Sequence, residues 1–197
     1  MNSFNNLKKL ISLGGSGEIA RRYMVMNSFD GALTVLGIII GSWFVGVSDA
    51  RVLLVAGFGA SIAMGISGAF GAYLTELAVK KDEIAKFEEF MLESFDNTIV
   101  TEAAYVSSIL VAIVDGISPF IAAAISLIPF VFSLVLNLDI NIAYLLSFVA
   151  TSITLFVLGS YLGKISKGNI VYYGFKMVLA GILVGILVLF VEIVSGG

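Results

Sequence analysis

Apolar residues run along this chain in long blocks, with polar residues gathered between them. The blocks cover residues 27–47, 52–74, 99–136, 142–162 and 170–194. About 20 apolar residues suffice to cross a hydrocarbon core about 30 Å thick. The pattern therefore predicts five transmembrane helices. Residues 1–26 are polar to amphipathic, and they lack the continuous apolar core and small-residue cleavage site of a secretory signal. Short polar loops at 49–51, 137–141 and 164–169 join the blocks, and a longer charged segment occupies 75–98. The third block, at 38 residues, exceeds one straight span. Two readings are open for it. One is a helix that starts at the cytoplasmic surface and is kinked by Pro119 and Pro129. The other is a pair of half-spans broken at Asp115-Gly116.

Composition agrees with the pattern. Hydrophobic residues make up 59% and charged residues 13%, against about 45–50% and about 25% in soluble domains. The predicted class is an all-α integral membrane protein. Its expected divisions are a cytoplasmic N-terminal segment (1–26), helices 1 and 2 (27–74), a cytoplasmic acidic helix (75–98) and helices 3 to 5 (99–194). Cysteine and histidine are both absent. That removes disulfides, zinc sites of Cys/His type, haem ligation by those residues and nucleophilic Cys or His catalysis. No Ser-Lys or paired-acid motif is evident, so no enzyme is predicted. A metal here would meet oxygen or thioether ligands.

Charge sets the expected orientation. Ten of the eleven Lys and Arg residues fall on one side of a five-span arrangement, and Arg51 alone falls on the other. Positive charge marks the cytoplasmic side. The N-terminus and residues 75–98 are thus expected inside, and the C-terminus outside.

A repeat runs through the apolar blocks. Asp30-Gly31 is followed 41 residues later by Gly71-Ala72-Tyr73-Leu74, and Asp115-Gly116 is followed 44 residues later by Gly159-Ser160-Tyr161-Leu162. Two spans separate the copies, so the two-helix repeat is parallel. A carboxylate in hydrocarbon is costly and marks an ion or proton path. Asp30 and Asp115 are the candidate ligands, with Thr34 one turn on from Asp30 and Met64 on the second span. The competing reading of Asp30 is a helix cap. Gly37-xxx-Gly41 suits close helix packing, and is expected to meet the same helix of a second subunit. Gly65, Gly68 and Gly71 read as a packing seam, and Gly181-xxx-Gly185 as packing alone.

Residues 75–98 read as an amphipathic helix. Asp82, Glu89, Glu93 and Asp96 share one sector and Ile84, Phe87, Met91 and Phe95 the other. The acidic sector, with Glu83 beside it, is a candidate surface for collecting divalent cations. Its plainer reading is a solvated face.

These residues carry a resemblance. Asp30-Gly31, the run from Ser67 to Thr75, Lys80-Lys81-Asp82-Glu83, Gly116-Ile117-Ser118-Pro119 and Gly159 resemble the vacuolar iron transporter family from about residue 27 onward. The resemblance implies a five-span homodimer that exports ferrous iron or manganese from the cytosol in exchange for protons. It implies a first-span aspartate in a pathway at the dimer interface and an acidic cytoplasmic region that gathers metal. Gly68 and Ala72 stand where the family usually carries methionine and glutamate, and only one short acidic helix fits the cytoplasmic region. The expected function is a divalent-metal transporter with no tightly bound cofactor. Its expected partners are lipid, divalent ions, protons and a second copy through helix 1, and not nucleic acid. The alternative is a non-transporting membrane scaffold of the same fold.

Overall fold

The computed structural model describes residues 15–92, 94–95 and 98–195. The described residues form five helices: α1 (Ser16–Phe44), α2 (Ala50–Met91), α3 (Ile99–Leu136), α4 (Ile140–Ile165) and α5 (Ile170–Ser195). Each is long and apolar enough to cross a membrane. The chain is thus a multi-pass membrane protein.

Polar residues in the loops start the helices. The Asp49 carboxylate accepts from the Arg51 amide at 2.9 Å. Asp139 does the same for Asn141 at 2.8 Å. The Asn169 side chain accepts from the amides of Val171 and Tyr172. Each satisfies a donor that a helix start leaves open. The ends of α1 and α4 use left-handed residues. Gly46 (φ 77°) lets the Val47 amide reach the Ser42 carbonyl, and Lys167 (φ 54°) lets Gly168 reach Gly163. Both follow the Schellman pattern.

Two element boundaries differ from the sequence reading. α1 begins at Ser16, well before residue 27. The acidic segment is not a separate helix: α2 runs unbroken through Leu74 to Met91. No glycine or proline lies between Ala72 and Met91, and strong helix formers fill the interval, so nothing stops the helix. At about 1.5 Å per residue, the 42 residues of α2 span roughly twice the hydrocarbon thickness. α3 is likewise one continuous helix with Pro119 and Pro129 inside it. The half-span reading of the third block is therefore set aside.

Two compact units share these helices. The first draws on residues 15–24 and 65–117, and the second on 25–64 and 118–195. In the first, Ala20, Ala72 and Val111 form a small core lined by Ile19, Tyr23, Leu110 and Val114. Gly65 faces the Gly116 carbonyl, and a Cβ on Gly116 would lie 2.9 Å from the Ala69 methyl. Small residues thus bring α2 and α3 into backbone contact.

In the second unit, Val35, Ile39, Leu53, Leu127, Phe130 and Tyr144 make the main core. The Tyr144 hydroxyl donates to the Val47 carbonyl at 2.8 Å. Hydroxyls supplement the packing. Ser28 donates to the Ser118 carbonyl and Ser147 to the Ser126 carbonyl. Such bonds hold membrane helices together where lipid removes the hydrophobic drive. Gly37 and Gly41 are met by Val184 and Val188 of α5, and Gly181 by Leu155 and Leu36. The small-residue face of α1 therefore packs within its own chain. Lys176 lies over the Tyr172 ring at 4.6 Å, as an interfacial cation anchored on an aromatic ring does.

Candidate ion pathway

Asp30 lies near the middle of α1, with Ser16 as the helix start, so the capping reading does not hold. Its side chain is exposed on the single chain, as is Met26 one turn earlier. Gly31, beside it, faces Pro119 so closely that a Cβ would lie 2.6 Å from the proline Cα and carbonyl oxygen. This contact fixes α1 against α3 at the level of the carboxylate.

Thr34 shares the face of Asp30, since residues four apart are neighbours on a helix. Its hydroxyl donates to the Met64 thioether at 3.4 Å. The fold therefore brings together two of the residues singled out in sequence, Thr34 from α1 and Met64 from α2. With Asp30 one turn away, the face offers a carboxylate, a hydroxyl and a sulfur. That donor set suits a borderline divalent ion better than a hard one, because hard ions take oxygen alone.

Asp115 has a different setting. It is 2% exposed, inside the first unit. The two aspartates of the sequence repeat are thus unequal within one chain: one open, one enclosed. The closing motifs differ too. A Cβ on Gly159 would meet the Tyr173 carbonyl, whereas Gly71 has open space around it. Ser160 keeps a buried hydroxyl oxygen without a hydrogen-bond partner.

Glu76 was not singled out in sequence. It is 6% exposed and lies in the same unit as Asp115. The Tyr23 hydroxyl hydrogen-bonds its carboxylate, and the charge of Asp115 reaches the same phenol. A signal was available. Gly65, Ala69, Ala72 and Glu76 recur at i, i+4, i+7 and i+11, which is one stripe of a helix. An acid that continues a small-residue packing stripe has to be buried.

On the charged extension of α2, Asp82, Glu83 and Glu89 are all exposed. Asp82 pairs with Lys86 at 2.6 Å, and this contact raises the Lys86 pKa above its ordinary value. An exposed pair of this kind adds little stability. Glu88 accepts from the Phe95 amide and so turns the chain after α2. Glu93 and Asp96 lie outside the described residues. Among the described residues, no three acids converge on a point that could hold a metal ion. A groove of about 470 Å³ in the second unit, lined by Ser28, Ile121, Ile125 and Ile153, contains no acid and offers no ion site.

The VIT family profile matches residues 75–191, more than half of the chain. The Methanocaldococcus jannaschii protein MJ0645, described as uncharacterized, is 34% identical over 180 residues, which cover 90% of this chain and 91% of that protein. No solved structure matches the chain. Five apolar helices, an intramembrane aspartate beside a helix–helix contact and these two matches together place the chain in the VIT family of membrane metal-ion transporters.

Proposed function

We propose that this protein exports Fe²⁺ or Mn²⁺ from the cytosol in exchange for protons, along a path that Asp30, Thr34 and Met64 line. The observation that carries the reading is the Thr34–Met64 contact one turn from Asp30. A thioether is a poor ligand for Ca²⁺ or Mg²⁺ and an acceptable one for transition ions, so it favours iron or manganese over harder ions. Asp115, at the equivalent place of the second repeat, is the second acid of the transport cycle.

The exposure of Asp30 supports a homodimer through α1. An ionised carboxylate facing lipid is strongly disfavoured, so a second copy of the chain would enclose it. Because Val184 and Val188 occupy the Gly37 and Gly41 face, the seam would use the face of Met26 and Asp30. The exposed acids Asp82, Glu83 and Glu89, with Glu93 and Asp96, would raise the local cation concentration by their field rather than by coordination. Replacing these five by their amides should raise the half-saturating metal concentration a few-fold at low salt. The difference should shrink at ~1 M salt, where the screening length is about 3 Å. An effect of equal size at both salt concentrations would indicate direct ligation instead.

The predicted orientation puts the C-terminus outside and α2's extension inside. A single cysteine at Lys81 should react with an impermeant reagent only from the cytoplasmic side, and one at Asp139 only from outside. The reverse pattern would invert the export direction. The function itself is tested by reconstituting the purified chain into liposomes loaded with a metal-quenched dye. Fe²⁺ and Mn²⁺ should enter faster than into empty vesicles, and Ca²⁺ should not. A folded protein that moves none of these ions would favour the scaffold reading.

A further inference from the structure

We propose that the groove along α3 and α4 holds an acyl chain of an anionic phospholipid, whose phosphate rests on Lys164. The lipid comes from the leaflet that meets the α4–α5 loop. This site lies wholly within the second unit and shares no residue with the metal path.

The lining accounts for the apolar end. The groove has a volume of about 470 Å³, inside the range of about 300–1,000 Å³ typical of ligand sites. Ile121 and Ile125 of α3 and Ile153 and Val157 of α4 wall it, and all four are exposed. Ser28 and Ala122 also line it and are buried. Both hydroxyls at the groove already donate to backbone carbonyls: Ser28 to that of Ser118 at 3.3 Å and Thr154 to that of Ala150 at 2.9 Å. Neither proton is left for a polar ligand, so hydrocarbon is the complementary filling. These helices are long and apolar enough to cross a membrane, where the hydrocarbon at hand is a lipid chain.

Helix geometry supplies the polar end. Ala150, Ile153, Thr154 and Val157 line the groove, and Tyr161 and Lys164 continue the same stripe of α4. Lys164 is exposed. At about 1.5 Å per residue it lies about 21 Å along the axis from Ala150. One leaflet with its headgroup region is half of about 40–45 Å. A chain that reaches Ala150 therefore leaves its phosphate at Lys164. Lys167 follows in the loop, and Lys176 lies over Tyr172 in the first two turns of α5. No acid stands between Asp139 and Glu192, and among the described residues Lys164 and Lys167 make no ion pair. Cations gathered at one membrane end without a carboxylate of their own attract anionic lipid. A second copy of the chain does not match this charge. A two-fold axis along the membrane normal would set Lys164 against its own counterpart at one level, like charge against like.

The test is native mass spectrometry of the purified full chain, delipidated in detergent and titrated with dioleoyl phosphatidylglycerol or dioleoyl phosphatidylcholine. Phosphatidylglycerol should bind each chain more tightly than phosphatidylcholine, whose own ammonium opposes the lysines. Lys164→Gln should weaken phosphatidylglycerol about fivefold, which corresponds to about 1 kcal/mol for a lysine at an anionic surface. Arg51→Gln removes an equal charge in the α1–α2 loop and should leave the affinity unchanged. Ala150→Phe fills the groove and should abolish tight binding although Lys164 remains. Equal affinity for the two lipids, equal effects of Lys164→Gln and Arg51→Gln, or binding unchanged by Ala150→Phe would each overturn the proposal. A wild-type chain that binds no lipid, in a dimer that Ala150→Phe splits, would assign the groove to a second copy instead. Should Ala150→Phe fail to fold, Val157→Trp, at an exposed wall position, takes its place. Metal flux enters none of these readouts, so the transport reading and this one fail separately.

Discussion

Gly31→Ala is expected to lower the thermal midpoint of the purified protein by many degrees and to abolish metal flux. The added Cβ would lie 2.6 Å from both the Cα and the carbonyl oxygen of Pro119. Both are backbone atoms of a long helix, so neither can rotate away. Overpacking of this kind costs about 1–3 kcal/mol even where side chains can adjust, and here the whole of α1 must withdraw from α3. Withdrawal would also displace Asp30, the adjacent residue. Gly71→Ala is the matched comparison. Nothing lies within 4 Å of its Cβ position, and alanine is favoured over glycine in a helix by up to about 1 kcal/mol. That variant should melt at or above the wild-type temperature. Equal midpoints for the two variants would remove the α1–α3 contact from the account.

Most of the architecture was legible in the sequence because membrane spans announce themselves by length and hydropathy. The five blocks correspond to five helices, and the ambiguous third block is one of them. The errors sit where hydropathy changes but backbone preference does not. Residues 75–91 become charged while remaining strong helix formers, so the second helix leaves the membrane without ending. The same holds at residues 16–26, where polar residues continue a helix upstream of the apolar block.

The candidate site was legible in part. Asp30, Thr34 and Met64 could be named because a polar or thioether residue stands out in an apolar stretch, and the fold joins the last two. The difference between Asp30 and Asp115 could not be read, because the repeat gives both the same flanking glycine. What separates them is tertiary: Gly31 meets Pro119, whereas Gly116 meets Gly65 and Ala69. Glu76 does not stand out in the sequence because it sits where the apolar block gives way to the charged segment. Its place on the Gly65–Ala69–Ala72 stripe is what buries it.

Asp30→Asn should abolish divalent-metal flux while expression, thermal midpoint and oligomeric state stay at wild-type values. Asparagine keeps the volume and one carbonyl oxygen of aspartate but carries no charge. Asp30 caps no helix end, so stability gives no reason for a loss. If the carboxylate binds the ion, losing even 1.4 kcal/mol of interaction lowers affinity tenfold, and removing a charge in a water-poor path costs more than that. Asp30→Glu should retain part of the activity, since it keeps the charge one methylene away. The direct measurement compares initial Fe²⁺ and Mn²⁺ uptake into dye-loaded proteoliposomes holding equal amounts of folded wild-type and Asp30→Asn protein. Fast uptake is expected for wild type and a rate within background for the variant. Equal rates for the two proteins would contradict a pathway through Asp30.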